Sequence, residues 1–183
     1  WERWLPRAQE LFPHLRNIAL DQFLTAINRA AYSSIRVEAD EATYDLHILL
    51  RFKLERALLA GELEVSDVPG VWNDTFESLF GFRPANNREG CLQDIHWSMG
   101  GLGYFATYSL GNLNAAQLHD CAAQDSEVAG GNRQGNFIPL LEWMQKKIHA
   151  KGSTLFPQDL MESATGSPTK PDAYLAHLRK RFC

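Results

Sequence analysis

The chain has 183 residues, of which 45% are apolar and 22% charged, and its formal net charge is −4 at neutral pH. That length allows one domain with a good core, or a domain with a subdomain. The acidic balance, with RKR at 179–181 as the longest basic block, argues against a nucleic-acid-binding protein. The sequence shows neither a secretory signal nor the ~20 apolar residues of a membrane span, so we expect no membrane partner.

Helical periodicity dominates the first third of the chain. Apolar residues recur at three- and four-residue spacing over residues 4–12, and a second helix is predicted over residues 17–31. The segment SSIRVEAD breaks this pattern, which predicts an extended link or a short β segment near residues 33–39. Asp40 is a predicted N-cap, and the strongest predicted helix follows over residues 41–60, with apolar side chains around much of its circumference.

Further helices are predicted over residues 67–80, 108–124, 137–150, 157–163 and 171–182, with Gly81 ending the first of them. The stretches FRPANNREG and EVAGGNRQGN are predicted loops. No alternating strand pattern is sustained, and no internal repeat occurs. The sequence therefore predicts an all-α fold, an irregular helical domain with at most the short extended segment near residues 33–39.

The cysteines and histidines suggest no metal site within these residues. Three cysteines, at 91, 121 and 183, are widely spaced and form no CxxC, which disfavours disulfides and favours a cytoplasmic location. The six histidines do not pair at metal-ligand spacing, and no HExxH occurs. His47 lies on an apolar predicted helix and is expected to be a satisfied core histidine.

Arg36 lies in the predicted extended segment, just before the strongest predicted helix. A guanidinium at such a position can bind a carboxylate through two parallel hydrogen bonds. Two acidic residues, Glu38 and Asp40, are close in sequence, so a structural salt bridge with an N-cap is the alternative. The residues alone favour that structural role.

The segment QDIHW places a carboxylate two residues from an imidazole. Asp94 can fix the tautomer of His96 or raise its pKa, and His96 can then shuttle a proton or donate to a polarised oxygen. Trp97 can exclude water. A partly buried histidine held by Asp94 explains the segment equally well.

Glycines are dense in GGLGYFATYSLGN, where they allow left-handed backbone and close approach of the chain. Tyr104 and Tyr108 are four residues apart, and Tyr108 lies where the next helix is predicted to begin. A phenol there can bond a ligand oxygen near the positive helix end. The alternative is a turn that packs two aromatic rings into the core.

Two of these segments resemble the motifs of one family. IRVEAD is similar to the I/V-R-x-x-A-D motif of the carboxypeptidase Taq family of metal-dependent carboxypeptidases, and GCLQDIHW to its G-x-x-Q-D-x-H-W motif. The flanks ADEATYDLHILLRFKLERALLAGEL and GYFATYSLGNLNAAQ resemble the family as well, and the motifs stand in the expected order. The resemblance covers nearly the whole chain.

The resemblance implies a longer parent protein. Family members are all-α and hold zinc, cobalt or another divalent metal on a His-Glu-x-x-His helix and a His-Glu-Ser segment, both upstream of IRVEAD. Neither segment is present, and the chain starts at Trp1 rather than Met. We therefore expect residues 1–183 to be the single C-terminal helical domain of a metallocarboxypeptidase. Without the metal-binding portion, this chain is expected to hold no metal at the native site and to be inactive alone.

The family reaction is hydrolysis of the last peptide bond of a peptide with a free C terminus. The resemblance implies that Arg36 binds the substrate carboxylate, while His96 and Tyr108 bond the substrate or its tetrahedral oxyanion. Gln93 and Asp94 would hold His96 in place. The complete set of supporting residues is Asp40, Gln93, Asp94, Trp97 and Tyr104.

The implied partners are a peptide substrate, the missing N-terminal portion of the same enzyme and, in the full-length protein, a second copy in a homodimer. The alternative is a metal-less, non-catalytic domain that binds peptide C termini or serves as a scaffold. These two hypotheses differ in whether HExxH is encoded upstream of Trp1.

Overall fold

The computed structural model describes residues 1–183 and contains α-helices and short 3-10 turns, with no strand or sheet, which confirms the predicted all-α fold. No helix combines the length and hydropathy that a bilayer crossing requires. Short 3-10 turns include Arg36–Glu38 and Trp97–Met99. The nine helices are α1 (Leu5–Leu11), α2 (Leu20–Ile27), α3 (Tyr44–Leu59), α4 (Val68–Phe80), α5 (Ala106–Ala122), α6 (Ser126–Gln134), α7 (Ile138–Lys147), α8 (Pro157–Thr165) and α9 (Asp172–Phe182).

The chain divides into two compact units. The first, termed the site unit, comprises residues 30–111 and 182 and contains α3, α4 and every predicted site residue. The second, termed the terminal unit, comprises residues 1–29, 112–181 and 183. The single-domain organisation expected from the sequence stays a prediction.

The core of the site unit lies between α3 and α4. Leu50 and Leu54 of α3 belong to one buried cluster with Trp72, Phe76 and Phe80 of α4. The rings at 76 and 80 stack with centroids 4.3 Å apart. As predicted, α4 ends at a glycine, residue 81, which adopts a left-handed φ of 79°. Because aromatic rings bury the largest apolar areas, this cluster is the rigid support of the site.

The other side of α3 differs from its prediction. Leu49, Phe52 and Leu59 are 39%, 38% and 66% exposed, although they belong to the apolar set that was predicted to surround the helix. Three polar side chains of α3 are buried instead, namely His47, Arg51 and Glu55. Hydrophobicity alone therefore does not say which face of α3 is inside.

Asp40 acts one turn before α3 begins. Its Oδ1 accepts hydrogen bonds from the backbone N–H groups of Ala42 and Thr43, at 2.9 and 3.0 Å, and its Oδ2 from that of Ala31 at 2.8 Å. Residues 41–43 form a turn, and the N–H of Tyr44 then bonds to the carbonyl of Asp40 at 2.9 Å. Asp40 therefore holds the turn before α3, and its predicted position as N-cap is wrong, because α3 begins at Tyr44 and its N-cap is Thr43.

Residues 33–39 contain no strand. Ile35 has extended backbone, with φ −99° and ψ 117°, and the 3-10 turn Arg36–Glu38 follows it. The hydroxyl of Ser33 accepts the N–H of Ile35 at 3.1 Å, so a side chain fills the place of a strand partner. Of the two alternatives offered by the sequence, the extended link is the correct one.

Helix α2 is shorter than the predicted range 17–31. Its first turn begins only at Leu20, where the side chain of Gln22 accepts the N–H of Ala19 at 3.3 Å. It ends before Asn28, which leaves helical geometry at φ −102° and ψ 11°. The Oδ1 of Asn28 accepts hydrogen bonds from Nε and Nη2 of Arg181, at 2.9 and 2.6 Å, so this side chain makes a tertiary contact at the end of α2.

Residues 127–136 were predicted to be a loop, and this prediction is wrong, because α6 occupies most of them. Asp125 is the N-cap, with a carboxylate that accepts two backbone N–H groups, and Gly135 ends the helix at φ 68°. A Cβ on Gly131 would lie 2.6 Å from the carbonyl oxygen of Asn136. The glycines therefore mark close packing and a helix end rather than a loop.

In the terminal unit, Gln117 joins α5 to the segment between α8 and α9. Its Nε2 donates to the hydroxyl of Thr165 at 2.8 Å and to the carbonyl of Ser167 at 3.0 Å, and its Oε1 accepts the N–H of Lys170 at 2.9 Å. One buried amide thus satisfies a segment that has no helical hydrogen bonds of its own.

Candidate functional site

Asp94 lies between two arginines of the site unit. Its Oδ1 accepts hydrogen bonds from Nε and Nη2 of Arg36, at 3.1 and 2.7 Å, and its Oδ2 accepts one from Nε of Arg51 at 2.7 Å. Burial disfavours the ionised carboxyl, but the two guanidiniums outweigh burial and hold the pKa of Asp94 below its ordinary value. We term this buried cluster the arginine bridge (Arg36, Asp94 and Arg51).

The arginine bridge has a formal net charge of +1, because two guanidiniums share one carboxylate. Burial lowers the pKa of Arg51 to about 10, against the opposing effect of Asp94, so Arg51 remains charged at neutral pH. The hydroxyl of Tyr44 accepts from Nη1 of Arg36 at 2.8 Å. Asp94 and Tyr44 together use three of the five guanidinium N–H donors of Arg36, which leaves one N–H on each Nη.

Gln93 fixes the backbone that carries Arg36. Its Oε1 accepts the N–H of Arg36 at 2.8 Å, and its Nε2 donates to the carbonyls of Ser34 and Glu89, at 2.9 and 2.7 Å. Gln93 therefore holds the segment of Arg36 against the loop before Asp94. This contact differs from the predicted one, in which Gln93 holds His96.

Aromatic rings enclose the guanidinium of Arg36. Its Cζ lies 5.1 Å from the ring centroid of Tyr108, 5.7 Å from that of Phe105 and 5.9 Å from that of Tyr44. Cation–π attraction at these distances helps to hold the side chain in one orientation. Arg36 and Tyr108, two of the predicted site residues, thus lie together.

His96 pairs with Tyr108 rather than with Asp94. Its Nε2 is 3.1 Å from the hydroxyl of Tyr108, and its ring stacks on Tyr104 and packs on Phe105, with centroids 5.7 and 4.4 Å away. The Nδ1 of His96 is 3.9 Å from Oδ1 of Asp94, beyond hydrogen-bond distance, and it is buried without a partner. The predicted Asp94–His96 hydrogen bond is absent because arginines occupy both carboxylate oxygens.

Trp97 lies on the inner side of the turn that carries His96. Its Nε1 donates to the carboxylate of Glu55 at 3.0 Å, and its ring makes edge contacts with Trp72 and Phe105, with centroids 6.0 and 6.1 Å away. Trp97 therefore anchors this turn to α3 and α4. The predicted exclusion of water by its ring stays a prediction.

The glycines between Trp97 and Tyr104 allow the chain to fold back on His96. Gly100 and Gly103 have left-handed φ angles of 78° and 85°, and the N–H of Gly101 bonds to the carbonyl of His96 at 2.8 Å. A Cβ on Gly101 would lie 3.0 Å from that same carbonyl oxygen. This close return is what brings Tyr104 onto the ring of His96.

The sequence interpretation missed a buried polar stripe on α3. Arg51 and Glu55 are each 1% exposed, and with His47 they recur every four residues, which places all three on one face. His47 is in the core, as expected, with its ring 4.5 Å from that of Phe80, but neither ring nitrogen has a hydrogen-bond partner. Burial, followed by the charges of Arg51 and Arg36, lowers the pKa of His47 to about 4. The sequence signal for this stripe is the recurrence of polar residues every four positions within an otherwise apolar helix.

The donors present do not make a metal centre. No group of three or more His, Cys, Asp or Glu side chains could hold a metal ion. Arginines occupy both oxygens of Asp94, and Tyr108 occupies Nε2 of His96. A metal near this site would need ligands that these 183 residues do not provide.

Known proteins resemble the chain over its whole length. The family model for the carboxypeptidase Taq (M32) metallopeptidases matches residues 1–182. The thermostable carboxypeptidase 1 of Thermus thermophilus is 43% identical over 183 residues, which are 100% of this chain and 36% of that protein. Carboxypeptidase 1 of Bacillus subtilis is 37% identical over 184 residues, 100% of this chain and 37% of the relative.

A solved structure shares the fold. The metallocarboxypeptidase 1 of Trypanosoma cruzi superposes with a TM-score of 0.90 at 39% identity, over 97% of this chain and 38% of the other. The chain thus spans between 36% and 38% of the length of the relatives that it matches.

Proposed function

The chain belongs to the carboxypeptidase Taq (M32) metallopeptidase family, and we propose that it is the C-terminal, substrate-binding portion of a metal-dependent carboxypeptidase. Such an enzyme hydrolyses the last peptide bond of a peptide, so it must recognise a free α-carboxylate. The observation that carries the proposal is the arginine bridge, which is buried and net positive within a chain that matches the family over residues 1–182.

Arg36 is the proposed ligand of the substrate carboxylate. Asp94 and Tyr44 fix its guanidinium, yet one N–H on each Nη stays available for an anion. Charge-assisted hydrogen bonds from such a preoriented fork are strong and specific for planar carboxylates. Arg51 contributes by balancing Asp94, so that the positive charge of Arg36 is not fully cancelled.

His96 and Tyr108 are the proposed partners of the substrate carbonyl oxygen. The two side chains lie 3.1 Å apart, and Tyr108 also lies against the guanidinium of Arg36. A donor in this position would stabilise negative charge that develops on the oxygen during hydrolysis. Tyr104 would support the pair through its stacking on His96.

The family implies a divalent metal, and the donors of this chain do not fit one by themselves. We therefore assign the ligands of the metal, whether zinc, cobalt or another divalent ion, to the part of the enzyme outside these residues. That part is the principal proposed partner of the chain.

The test uses the complete reading frame that encodes this chain. The purified product should release the C-terminal residue from an N-blocked dipeptide with a free carboxylate, but not from the C-terminal amide of the same dipeptide. A chelator should abolish the activity, and zinc or cobalt should restore it. A product that binds the free-acid peptide without cleaving it in the presence of metal would overturn the proposal in favour of a non-catalytic peptide-binding domain.

Arg36→Ala tests the assigned role within that product. It should lower kcat/KM by an amount equivalent to about 2–4 kcal/mol, as expected for loss of a buried, charged hydrogen bond. Arg83→Ala is the matched control, because Arg83 is half exposed and ion-paired only with the surface residues Asp74 and Glu77. An unchanged kcat/KM for Arg36→Ala would remove Arg36 from the substrate site.

A further inference from the structure

We propose that Glu55 is a positioning residue for His96 and that it acts through Trp97. Glu55 is 1% exposed on α3, and its Oε1 accepts the indole N–H of Trp97 at 3.0 Å. Trp97 follows His96 directly in the chain and begins the 3-10 turn Trp97–Met99, whose N-cap is His96. The inference rests on the proposed function, because it takes His96 to bond the carbonyl oxygen of the substrate.

The ring of His96 lacks the hydrogen bond that usually orients a functional histidine. One ring nitrogen normally bonds to a carboxylate or a backbone carbonyl, and this bond fixes the tautomer and the plane of the ring. The Nδ1 of His96 has no hydrogen-bond partner, and its Nε2 pairs with Tyr108, which is itself a proposed substrate-binding group. The orientation of the ring therefore depends on its packing against Tyr104 and Phe105 and on the backbone that carries it.

The turn that carries His96 is too short to be rigid by itself. It contains three residues, and the hydrogen bonds of a 3-10 turn have poorer geometry than those of an α-helix. Gly100 follows with a left-handed φ of 78°, and glycine backbone is the most adaptable of all residues. Trp97 supplies the missing support, since its ring lies against Trp72 and its N–H bonds to Glu55.

Helix α3 holds the chain on both sides of His96. The Nε of Arg51 donates to Asp94, two residues before His96, at 2.7 Å, and Glu55 binds Trp97, one residue after it. Arg51 and Glu55 are one helical turn apart on the same face, so a single helix sets both contacts. Such support matters because a displacement of ~1 Å at a catalytic group can cost about a hundredfold in rate.

A purely stabilising role explains Glu55 less well. Its second carboxylate oxygen, Oε2, is buried without a hydrogen-bond partner in the chain. An unsatisfied buried acceptor costs free energy, and replacing a buried polar pair with apolar side chains of the same shape is often neutral or stabilising. The bond between Glu55 and Trp97 therefore contributes orientation rather than stability.

Steady-state kinetics of the complete product test this inference, with the N-blocked dipeptide that has a free carboxylate as substrate. Glu55→Leu removes the acceptor and should lower kcat by about ten- to a hundredfold, while KM changes by less than about twofold. Glu55→Gln keeps an acceptor for Trp97 and should retain most of the wild-type kcat. The matched control is His47→Leu, because His47 is buried on the same face of α3 with both ring nitrogens unbonded, and its kcat should be unchanged.

A double variant separates positioning from general loss of structure. In the His96→Ala background, Glu55→Leu should change kcat by less than about twofold, because the group that it positions is already absent. A residue with only a structural role would lower kcat by the same factor in both backgrounds, and that result would overturn the inference. A wild-type kcat for Glu55→Leu, or equal losses for Glu55→Leu and Glu55→Gln, would overturn it as well.

A chemical measurement that needs no turnover provides an independent test. Diethyl pyrocarbonate, followed by mass spectrometry, should modify His96 severalfold faster in Glu55→Leu than in the wild type or in Glu55→Gln. The exposed His149 is the internal control and should react at the same rate in all three proteins. Equal rates at His96 in the three proteins would refute the positioning role even in an active enzyme. Failure of the proposed function shows itself separately, as a complete product without metal-dependent peptide hydrolysis.

Discussion

Replacing Asp94 with asparagine is the sharpest test of the arginine bridge. The substitution keeps the size of the side chain but removes the charge that two guanidiniums share, through contacts of 2.7 Å to Nη2 of Arg36 and 2.7 Å to Nε of Arg51. The three side chains are between 1% and 12% exposed, so water cannot replace the lost carboxylate. Breaking a buried ion pair by removing one partner costs about 3–5 kcal/mol, and we expect a loss in this range.

That loss is large compared with the total stability of a protein. Native domains are stable by about 5–15 kcal/mol, so Asp94→Asn should remove about a fifth or more of the free energy of unfolding. Asp74→Asn is the matched control, because Asp74 is 69% exposed and pairs with Arg83 at the surface. An exposed pair of this kind contributes about 0–1 kcal/mol.

The free energy of unfolding of both variants is measured by urea titration at pH 7, with tryptophan fluorescence as the probe. Native-state hydrogen exchange of the α3 amides would show that the loss occurs in the site unit, because Arg51 lies on that helix. If Asp94→Asn and Asp74→Asn shift the unfolding free energy by the same small amount, the arginine bridge does not stabilise the fold, and the argument from its burial is wrong.

Two further predictions concern histidines. His47 has a pKa of about 4 in the fold against ~6.5 in the unfolded chain, so folding favours its neutral form and the chain should lose up to ~3 kcal/mol of stability as pH falls from about 6.5 to about 4. Between pH 7 and pH 4.5, His47→Leu should lose less unfolding free energy than the wild type, as measured by urea titration. Equal losses in the two proteins would show that His47 does not cause the pH dependence. In the complete enzyme, His96→Ala should lower kcat about a hundredfold or more if His96 stabilises the oxyanion. A wild-type rate in steady-state assays would leave it a structural histidine beside Tyr108.

Much of the helical framework follows from local sequence. Helix α4 and its end at Gly81 are predictable because apolar spacing and glycine geometry act over a few residues. The contact of Asp40 is local as well, since its carboxylate bonds to N–H groups two and three residues later, although the predicted N-cap position belongs to Thr43. Helix α6 is not predictable in this way, because Gly131 allows a close approach to the carbonyl of Asn136 that sequence composition does not reveal.

The charged part of the site depends on contacts that no local pattern contains. Arg51 and Asp94 are 43 positions apart, and Trp97 and Glu55 are 42 apart. Burial of Arg51 on α3 is favourable only because Asp94 reaches it, so a sequence method that weighs each residue separately places such a charge on the surface. The motif resemblance identified Asp94 but assigned it to His96, and it gave no sign of the two arginines that Asp94 bonds.

The structural and functional explanations of Arg36 are compatible. The sequence offered either a salt bridge or a ligand for the substrate carboxylate, and a single arginine paired with a single acid would have left little charge for a substrate. Asp94 has to balance Arg51 as well, so its charge cannot cancel both guanidiniums. The ion pair thus orients Arg36 without neutralising it, and the rigidity that stabilises the fold is the same rigidity that a carboxylate-binding arginine needs. By this argument Asp94→Asn should weaken both stability and the recognition of a free C terminus, whereas Arg83→Ala should affect neither.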